Sequence, residues 1–301
     1  MLTPPFYLLS KPKSAPNLCV FSTPLSQRNA LSSELLHVTI YMPTFTRRIA
    51  TKIKQIAERF TAERKRKMKE IENSELRYKR TLDLEDFTPE RLAKMQQSSV
   101  LVIGAGGLGS AVLPLLAAQE LHSIHIVDYD TVDVSNLPRQ LLYTSLELGQ
   151  DKAALAAHRL QKLNERGEMR YTSRRVDAEW LATYNAPLDL VIDCTDNFAT
   201  RLLLDQFCAD RSIALVWGAV EGYTGQLSLF HGKTSCSLRD VFNDIPKERP
   251  LNRGIFPPLV QQIGSMMAGV ALRWLAFGES ELDGKFLQLD ARTFITQIFA
   301  L

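Results

Sequence analysis

Arg80, Arg139 and Lys152 are three cations that together could neutralise a polyphosphate. A donor of this kind, aimed at charge that develops in a transition state, contributes about 2.7–4 kcal/mol. Asn136 shares the stretch "DYDTVDVSNLPRQ" at 128–140 with Arg139, and Lys152 follows at the expected start of a helix. "DCTDN", 193–197, closes an apolar run with Asp193, Asp196 and Asn197. That group reads either as an Asp/Asn cap for the next helix or as a seat for Mg2+, which takes oxygen ligands. The second reading is carried forward for Asp196, because a carboxylate facing a polyphosphate is the usual place for that ion. A glycine-rich turn, "VIGAGGLGSAV" at 102–112, supplies Gly104-x-Gly106-x-x-Gly109 with Gly107 between. The pattern fits a dinucleotide fingerprint and ATP-binding folds equally. Asp128 stands where a carboxylate hydrogen-bonds a ribose, about 20 residues past the glycines, and NAD and ATP both carry that ribose. An NAD- or FAD-dependent oxidoreductase therefore stays open beside an ATP enzyme. The cations favour ATP, since hydride transfer develops no triphosphate-like charge.

The elements that must hold these residues follow from hydrophobic periodicity. From residue 98 the pattern is βαβ: strand "SVLVIGAG", a helix from Leu108 to about Gln119, strand "SIHIVDYD". The helix begins on the glycines, so its free N–H groups and positive dipole end face the turn. A helix over Lys152–Asn164, a strand in "MRYTSRRVD", the strand "LDLVIDCTDN", a helix containing Arg201–Cys208 and the strand "IALVWGAV" continue the alternation. The fold expected is α/β, a Rossmann-like and mostly parallel sheet flanked by helices, with ligands beyond the strand C-termini. "GQLSLF" and "KFLQLDARTFITQIFAL" read as antiparallel C-terminal strands.

Composition narrows the class. The chain has 301 residues, 45% hydrophobic and 23% charged, with a net charge of +3, and much of its basic excess lies in 47–70, so the body offers no case for nucleic-acid binding. Pro257–Gly278 is the longest apolar run, but Gln261, Gln262 and Arg273 interrupt it. A buried or subunit-interface helix is expected there rather than a membrane span. Cys19, Cys194, Cys208 and Cys236 are scattered with no C-x-x-C pair, which suggests a reducing, cytoplasmic setting without disulfides or a cysteine-rich zinc site. Residues 1–45, with no acid before Glu34, read as a disordered or targeting-like extension or an over-extended start, Met42 and Met68 being possible internal starts. Residues 46–75 read as a basic amphipathic helix with Ile49, Ile53, Ile56 and Phe60 on one face.

These segments carry a family resemblance. "RYKR" at 77–80, "GAGGLGS" at 104–110, "DYDTVDVSNLPRQ", Lys152, "DCTDN", "GAVEGYTGQLSLF" at 218–230 and "IGSMMAGVALRWL" at 263–275 resemble the ThiF/MoeB/HesA family, relatives of the ubiquitin-activating enzymes. The resemblance implies an ATP-binding adenylation domain over 76–301. It implies MgATP-dependent adenylation of the C-terminal glycine of a ubiquitin-like sulfur-carrier protein ending in Gly-Gly, followed by thiocarboxylate formation. A ThiS-like carrier of thiamine biosynthesis is expected, with a MoaD-like carrier of molybdopterin synthesis as the alternative. By motif match, Gly104, Gly106, Gly107 and Gly109 lie under the nucleotide and Asp128 holds the ribose. Ser135, Asn136, Arg139 and Lys152 grip the phosphates, and Asp196 holds Mg2+ with Asn197 beside it. The residue matching Arg80 reaches into the partner subunit's site, so a homodimer is implied.

The chemistry agrees with such a residue set. A carboxylate attacking an α-phosphate is already ionised at neutral pH, so no general base is required; the obstacle is repulsion by ATP's own charge. His37, His122, His125, His158 and His231 match no family motif and are expected to be structural or surface residues. Where many members carry two C-x-x-C pairs, only Cys236 remains, with Arg239 at the second position, so no zinc is expected. Residues 246–258 hold no cysteine, which implies a separate sulfur donor rather than an enzyme-linked persulfide. Thr81 replaces the usual Gln after "RYxR", and Pro138 lies within the Asn-to-Arg stretch; neither removes a needed charge.

Overall fold

The computed structural model describes residues 76–234, 236–242 and 254–301, and positions 52, 55, 56, 58 and 59. The extension over 1–45 and the stretch 246–253 lie outside the described residues. Of the helix expected over 46–75, only the five isolated positions are described, and they are helical and exposed. The chain divides into two units, Met1–Lys79 and Arg80–Leu301, and every element below belongs to the second.

One eight-stranded sheet organises that unit. Its strands are β1 (Ser99–Ile103), β2 (Ser123–Asp128), β3 (Glu168–Ser173), β4 (Leu190–Asp193), β5 (Ala214–Glu221), β6 (Thr224–Phe230), β7 (Lys285–Asp290) and β8 (Ile295–Ala300). They lie in the order β3-β2-β1-β4-β5-β6-β7-β8. Pairing is parallel from β3 to β5 and antiparallel from β5 to β8. The expected mostly parallel sheet with antiparallel C-terminal additions is what forms. β1 and β4, "SVLVI" and "LVID", are buried almost throughout, as continuous apolar runs in a sheet covered on both faces must be.

Helices α1 (Pro89–Gln96), α2 (Gly107–Ala117), α3 (Lys152–Leu160), α4 (Ala178–Thr183), α5 (Phe198–Arg211), α6 (Leu238–Val241) and α7 (Pro257–Phe277) complete the unit. α7 lies along α2 and against β5 and β6, burying Leu259, Ile263, Met267, Ala271 and Leu275. It is the core helix expected from its interrupted apolar run. Among the described residues, no helix is long and apolar enough to cross a membrane. A second apolar cluster, including Leu101, Val191, Leu204, Phe207, Trp217, Phe230 and Phe286, fills the sheet's other face.

Differences from the sequence reading are local. α3 ends at Leu160 rather than near Asn164, because the Asn164 side chain turns inward to donate to the Leu121 carbonyl and accept from the Gly167 N–H. The last apolar run is two strands, reversed at Phe294 with φ of 58°.

Candidate functional site

The C-terminal ends of the parallel strands surround a cavity of about 580 Å³. It gathers Gly104, Gly106, Gly107 and Asp128 from the ends of β1 and β2, Asn136 and Arg139 from the connection that follows, Lys152 from the start of α3, and Asp196 and Asn197 from beyond β4. Gly109, Ser135 and Arg80 do not line it.

The glycine turn is shaped by close contacts. Gly104 has φ of +98°, and a Cβ there would sit 2.7 Å from the Cys194 carbonyl oxygen. At Gly109 a Cβ would be 2.1 Å from the Gly104 carbonyl oxygen, so this glycine lets the helix start press onto the strand end. The missing side chain of Gly107 makes room for Val260 of α7, whose Cγ1 would lie 2.8 Å away, while its backbone borders the cavity. Gly106 is the N-cap of α2 and offers no side-chain cap. The orphan N–H groups of that first turn make an anion-binding end.

Asp128 braces the turn: its carboxylate accepts from the N–H groups of Ala105 at 2.6 Å and Asp130 at 2.8 Å. Burial raises its pKa, against the lowering effect of those two N–H groups and of Lys152. Tyr143, also buried, donates to the carbonyls of Ala105 and Lys152, tying the glycine turn to the start of α3. Lys152 is itself buried, with its ammonium 3.3 Å from the half-exposed carboxylate of Asp130. Arg139 donates from Nη1 to the Ser135 carbonyl at 2.8 Å, and its own carbonyl accepts from Gln261 Nε2 of α7. Ser135 thus positions Arg139 from outside the cavity, its hydroxyl bonded to Asp133 at 2.5 Å.

The two readings of "DCTDN" divide between two residues. Asn197 is the N-cap of α5, accepting from the Thr200 N–H at 2.9 Å. Asp196 is exposed, lines the cavity and makes no hydrogen bond among the described residues, so capping does not consume it. Among the described residues no group of three or more His, Cys, Asp and Glu could hold a metal. Mg2+ at a phosphate site needs only one or two carboxylates besides the phosphates, so Asp196 fits the ion as a single protein ligand.

Arg80 is far from buried, with 95% of its side chain exposed and Asp83 at 3.8 Å.

Sequence reasoning missed several cavity residues. Arg174 and Arg175 follow β3, Asp130 pairs Lys152, and Gln140 and Arg201 also line the wall. Arg201 is buried and donates from Nη2 to the Thr195 carbonyl at 2.7 Å. Its charge faces Asp193, whose fully buried carboxyl is raised in pKa by burial and accepts from the Thr195 N–H and hydroxyl. The signal for Arg174 and Arg175 was their place at a strand's C-terminal end. None of the described histidines, His122, His125, His158 and His231, lines the cavity. His125 is buried between Tyr184 and Thr172, with its pKa pushed down to about 4, chiefly by burial. His231 contacts Asp205, which also accepts from the Leu238 N–H and lies 4.0 Å from Arg239. That buried carboxylate anchors α6 to α5.

Comparison with known proteins places these features in context. The sequence profile of the ThiF family matches residues 78–301. A sulfur carrier protein adenylyltransferase of Thermus thermophilus is 36% identical over 227 residues, 71% of this chain and 83% of that protein. The molybdopterin-synthase adenylyltransferase of Escherichia coli is 33% identical over 230 residues, 75% of this chain and 92% of that protein. Longer relatives are spanned in part: the adenylyltransferase and sulfurtransferase MOCS3 of Caenorhabditis briggsae is 33% identical over 221 residues, 72% of this chain but 55% of its own length. Among solved structures, selenomethionine PaaA aligns with a TM-score of 0.64 at 18% identity, covering 76% of this chain and 73% of its own. Escherichia coli MccB with ATP aligns at 0.62 and 16% identity, covering 70% and 65%. Likeness at that identity speaks to the fold.

Proposed function

The chain belongs to the ThiF family, and from that membership and the cavity we propose that it is an adenylyltransferase that activates a sulfur carrier protein. The observation that carries the reading is the convergence of the glycine turn, Asp128, Arg139, Lys152 and Asp196 on one cavity. The names of its relatives support a sulfur carrier as substrate: one is a sulfur carrier protein adenylyltransferase and another a molybdopterin-synthase adenylyltransferase. The ThiS-like carrier of thiamine biosynthesis and the MoaD-like carrier of molybdopterin synthesis therefore stand level, as the two arms of the test.

In the mechanism an oxygen of the carrier's terminal glycine carboxylate attacks the α-phosphorus of ATP. The α–β bridging P–O bond breaks, and pyrophosphate leaves with the electron pair. The nucleophile is ionised without help at neutral pH, so the cavity needs no base. Cys194 supplies no rival nucleophile, because burial pushes its thiol well above the ordinary range. Lys152 and Arg139 offset the charge on the polyphosphate, and Asn136 donates beside them. The first-turn N–H groups of α2 add oriented donors that require no reorganisation. Asp128 accepts from the ribose hydroxyls while its backbone bonds hold the turn. Mg2+, when bound at Asp196, would neutralise phosphate charge in addition.

Arg80, exposed in the single chain, completes the site of a second copy in a homodimer. Sulfur comes from a separate donor, since 246–258 offers no thiol. The test is exchange of labelled pyrophosphate into ATP, run with ThiS-like and MoaD-like carriers ending in Gly-Gly. Carrier-dependent exchange is expected with one of them. Saturable NAD(H) binding with no exchange would overturn the reading in favour of an oxidoreductase.

A further inference from the structure

Two features of the cavity have no role in phosphate chemistry: the arginine pair after β3 and Tyr129. The sheet edge gives them an address. The phosphate-binding turn follows β1, the ribose carboxylate Asp128 ends β2, and β3 is the next strand outward. Moving along the edge from β1 to β2 passes from phosphates to ribose, so the next step, to β3, leads to the group on the ribose's far side. That group is the base. Arg174 and Arg175, with the buried Val176, stand at that step and line the cavity.

The two arginines differ. Arg174 is committed: Nη2 donates to Asp177 at 2.7 Å and Nε to the Arg175 carbonyl at 3.2 Å. The guanidinium of Arg175 has no carboxylate partner among the described residues and lies over the Tyr129 ring, 4.2 Å from its centroid. Tyr129 directly follows Asp128 in the chain and is 49% exposed. A planar guanidinium seated on an aromatic ring is preorganised, and together they present a flat, weakly hydrated surface with little rotamer freedom left to lose. Purine rings stack on both kinds of surface, in a manner tolerant of the groups at the ring edge.

We propose that Arg175 and Tyr129 form the platform on which the purine base of the nucleotide stacks, making Arg175 a binding residue for the base rather than for the phosphates. This rests on the reading of the cavity as a nucleotide site. A competing role, holding a 2′-phosphate on the ribose, conflicts with Asp128, whose carboxylate stands beside that position and would repel it.

The test measures direct binding to the full chain for wild type, Arg175→Ala, Arg175→Lys and Tyr129→Ala, with ATP, GTP, inorganic tripolyphosphate and NADPH as probes. Loss of one stacking surface should weaken ATP and GTP alike by about tenfold in each variant. Tripolyphosphate, which has no base, should bind all four proteins within about twofold. Full rescue of ATP binding by Arg175→Lys, with ATP and tripolyphosphate falling in parallel in Arg175→Ala, would overturn the platform and leave a purely electrostatic role. Tight NADPH binding lost in Arg175→Ala would overturn it in favour of the 2′-phosphate. Unaltered ATP binding in every variant refutes this proposal alone, whereas a wild type that binds no ATP refutes the nucleotide site itself.

Discussion

Lys152→Met separates the cost of folding from the cost of chemistry. The substitution keeps an apolar stem of similar length in a buried channel and removes only the ammonium. Its ground-state partner, Asp130, is 49% exposed and stays hydrated when the pair is broken. A pair with so solvated a carboxylate contributes about 0–1 kcal/mol, and burying the ammonium carries a desolvation cost that the variant escapes. Folding stability should therefore move by no more than about 1 kcal/mol. The chemical effect is far larger. Two unit charges 4 Å apart at an effective dielectric of about 20 interact by about 4 kcal/mol, and donors aimed at developing phosphoryl charge contribute about 2.7–4 kcal/mol. At about 1.4 kcal/mol per decade the rate should fall about 10²–10³-fold. Carrier-dependent pyrophosphate exchange reads the second quantity and a urea midpoint the first. A folded variant that exchanges within about threefold of wild type would refute the placement of Lys152 on the polyphosphate.

Other outcomes follow from single contacts. Gly109→Ala should fail to fold or lose more than about 3 kcal/mol, since its Cβ would meet backbone at 2.1 Å, whereas Gly106→Ala, with its nearest neighbour at 3.5 Å, should keep its thermal midpoint within a few degrees. Arg80→Ala and Lys152→Met should each be inactive alone, yet mixing the unfolded and refolded subunits should restore about a quarter of wild-type exchange if sites are shared across a two-fold dimer. No recovery from two inactive variants would show that Arg80 does not serve the site of a partner subunit. Asp193 has its pKa raised from the ordinary 3.8 by burial, so above that value the native state holds more protons than the unfolded chain, and stability falls as pH rises through the window. Asn titrates nothing there, so Asp193→Asn should gain stability relative to wild type as pH rises above the ordinary carboxyl value of 3.8, and a relative loss on that rise would show that the Arg201 charge outweighs burial.

Much of this arrangement could be read from the sequence because its signals are local. The apolar runs ending in Gly104, Asp128 and Asp193 fix strands and their C-terminal ends, and ligands in such sheets gather at those ends. Asp196 was legible as the free carboxylate of "DCTDN", but that Asn197 is the cap was not, because capping depends on which side chain reaches the Thr200 N–H. Asp130 and Arg175 were missed for a related reason. Their roles are set by partners across the fold, Lys152 for one and the Tyr129 ring for the other, and no spacing rule links those positions. Gly107 shows the limit of a motif: its missing side chain admits Val260 from α7, more than a hundred residues away in the chain.

The most direct test of the account is the fate of the α-phosphate. With ATP labelled at that position, label should appear on the terminal glycine carboxylate of a sulfur carrier, as a hydroxylamine-sensitive acyl-adenylate, and should be absent when the carrier lacks its last glycine. Label transferred from the γ-position instead, or no label on any carrier while NAD(H) binds, would contradict adenylation as the activity of this cavity.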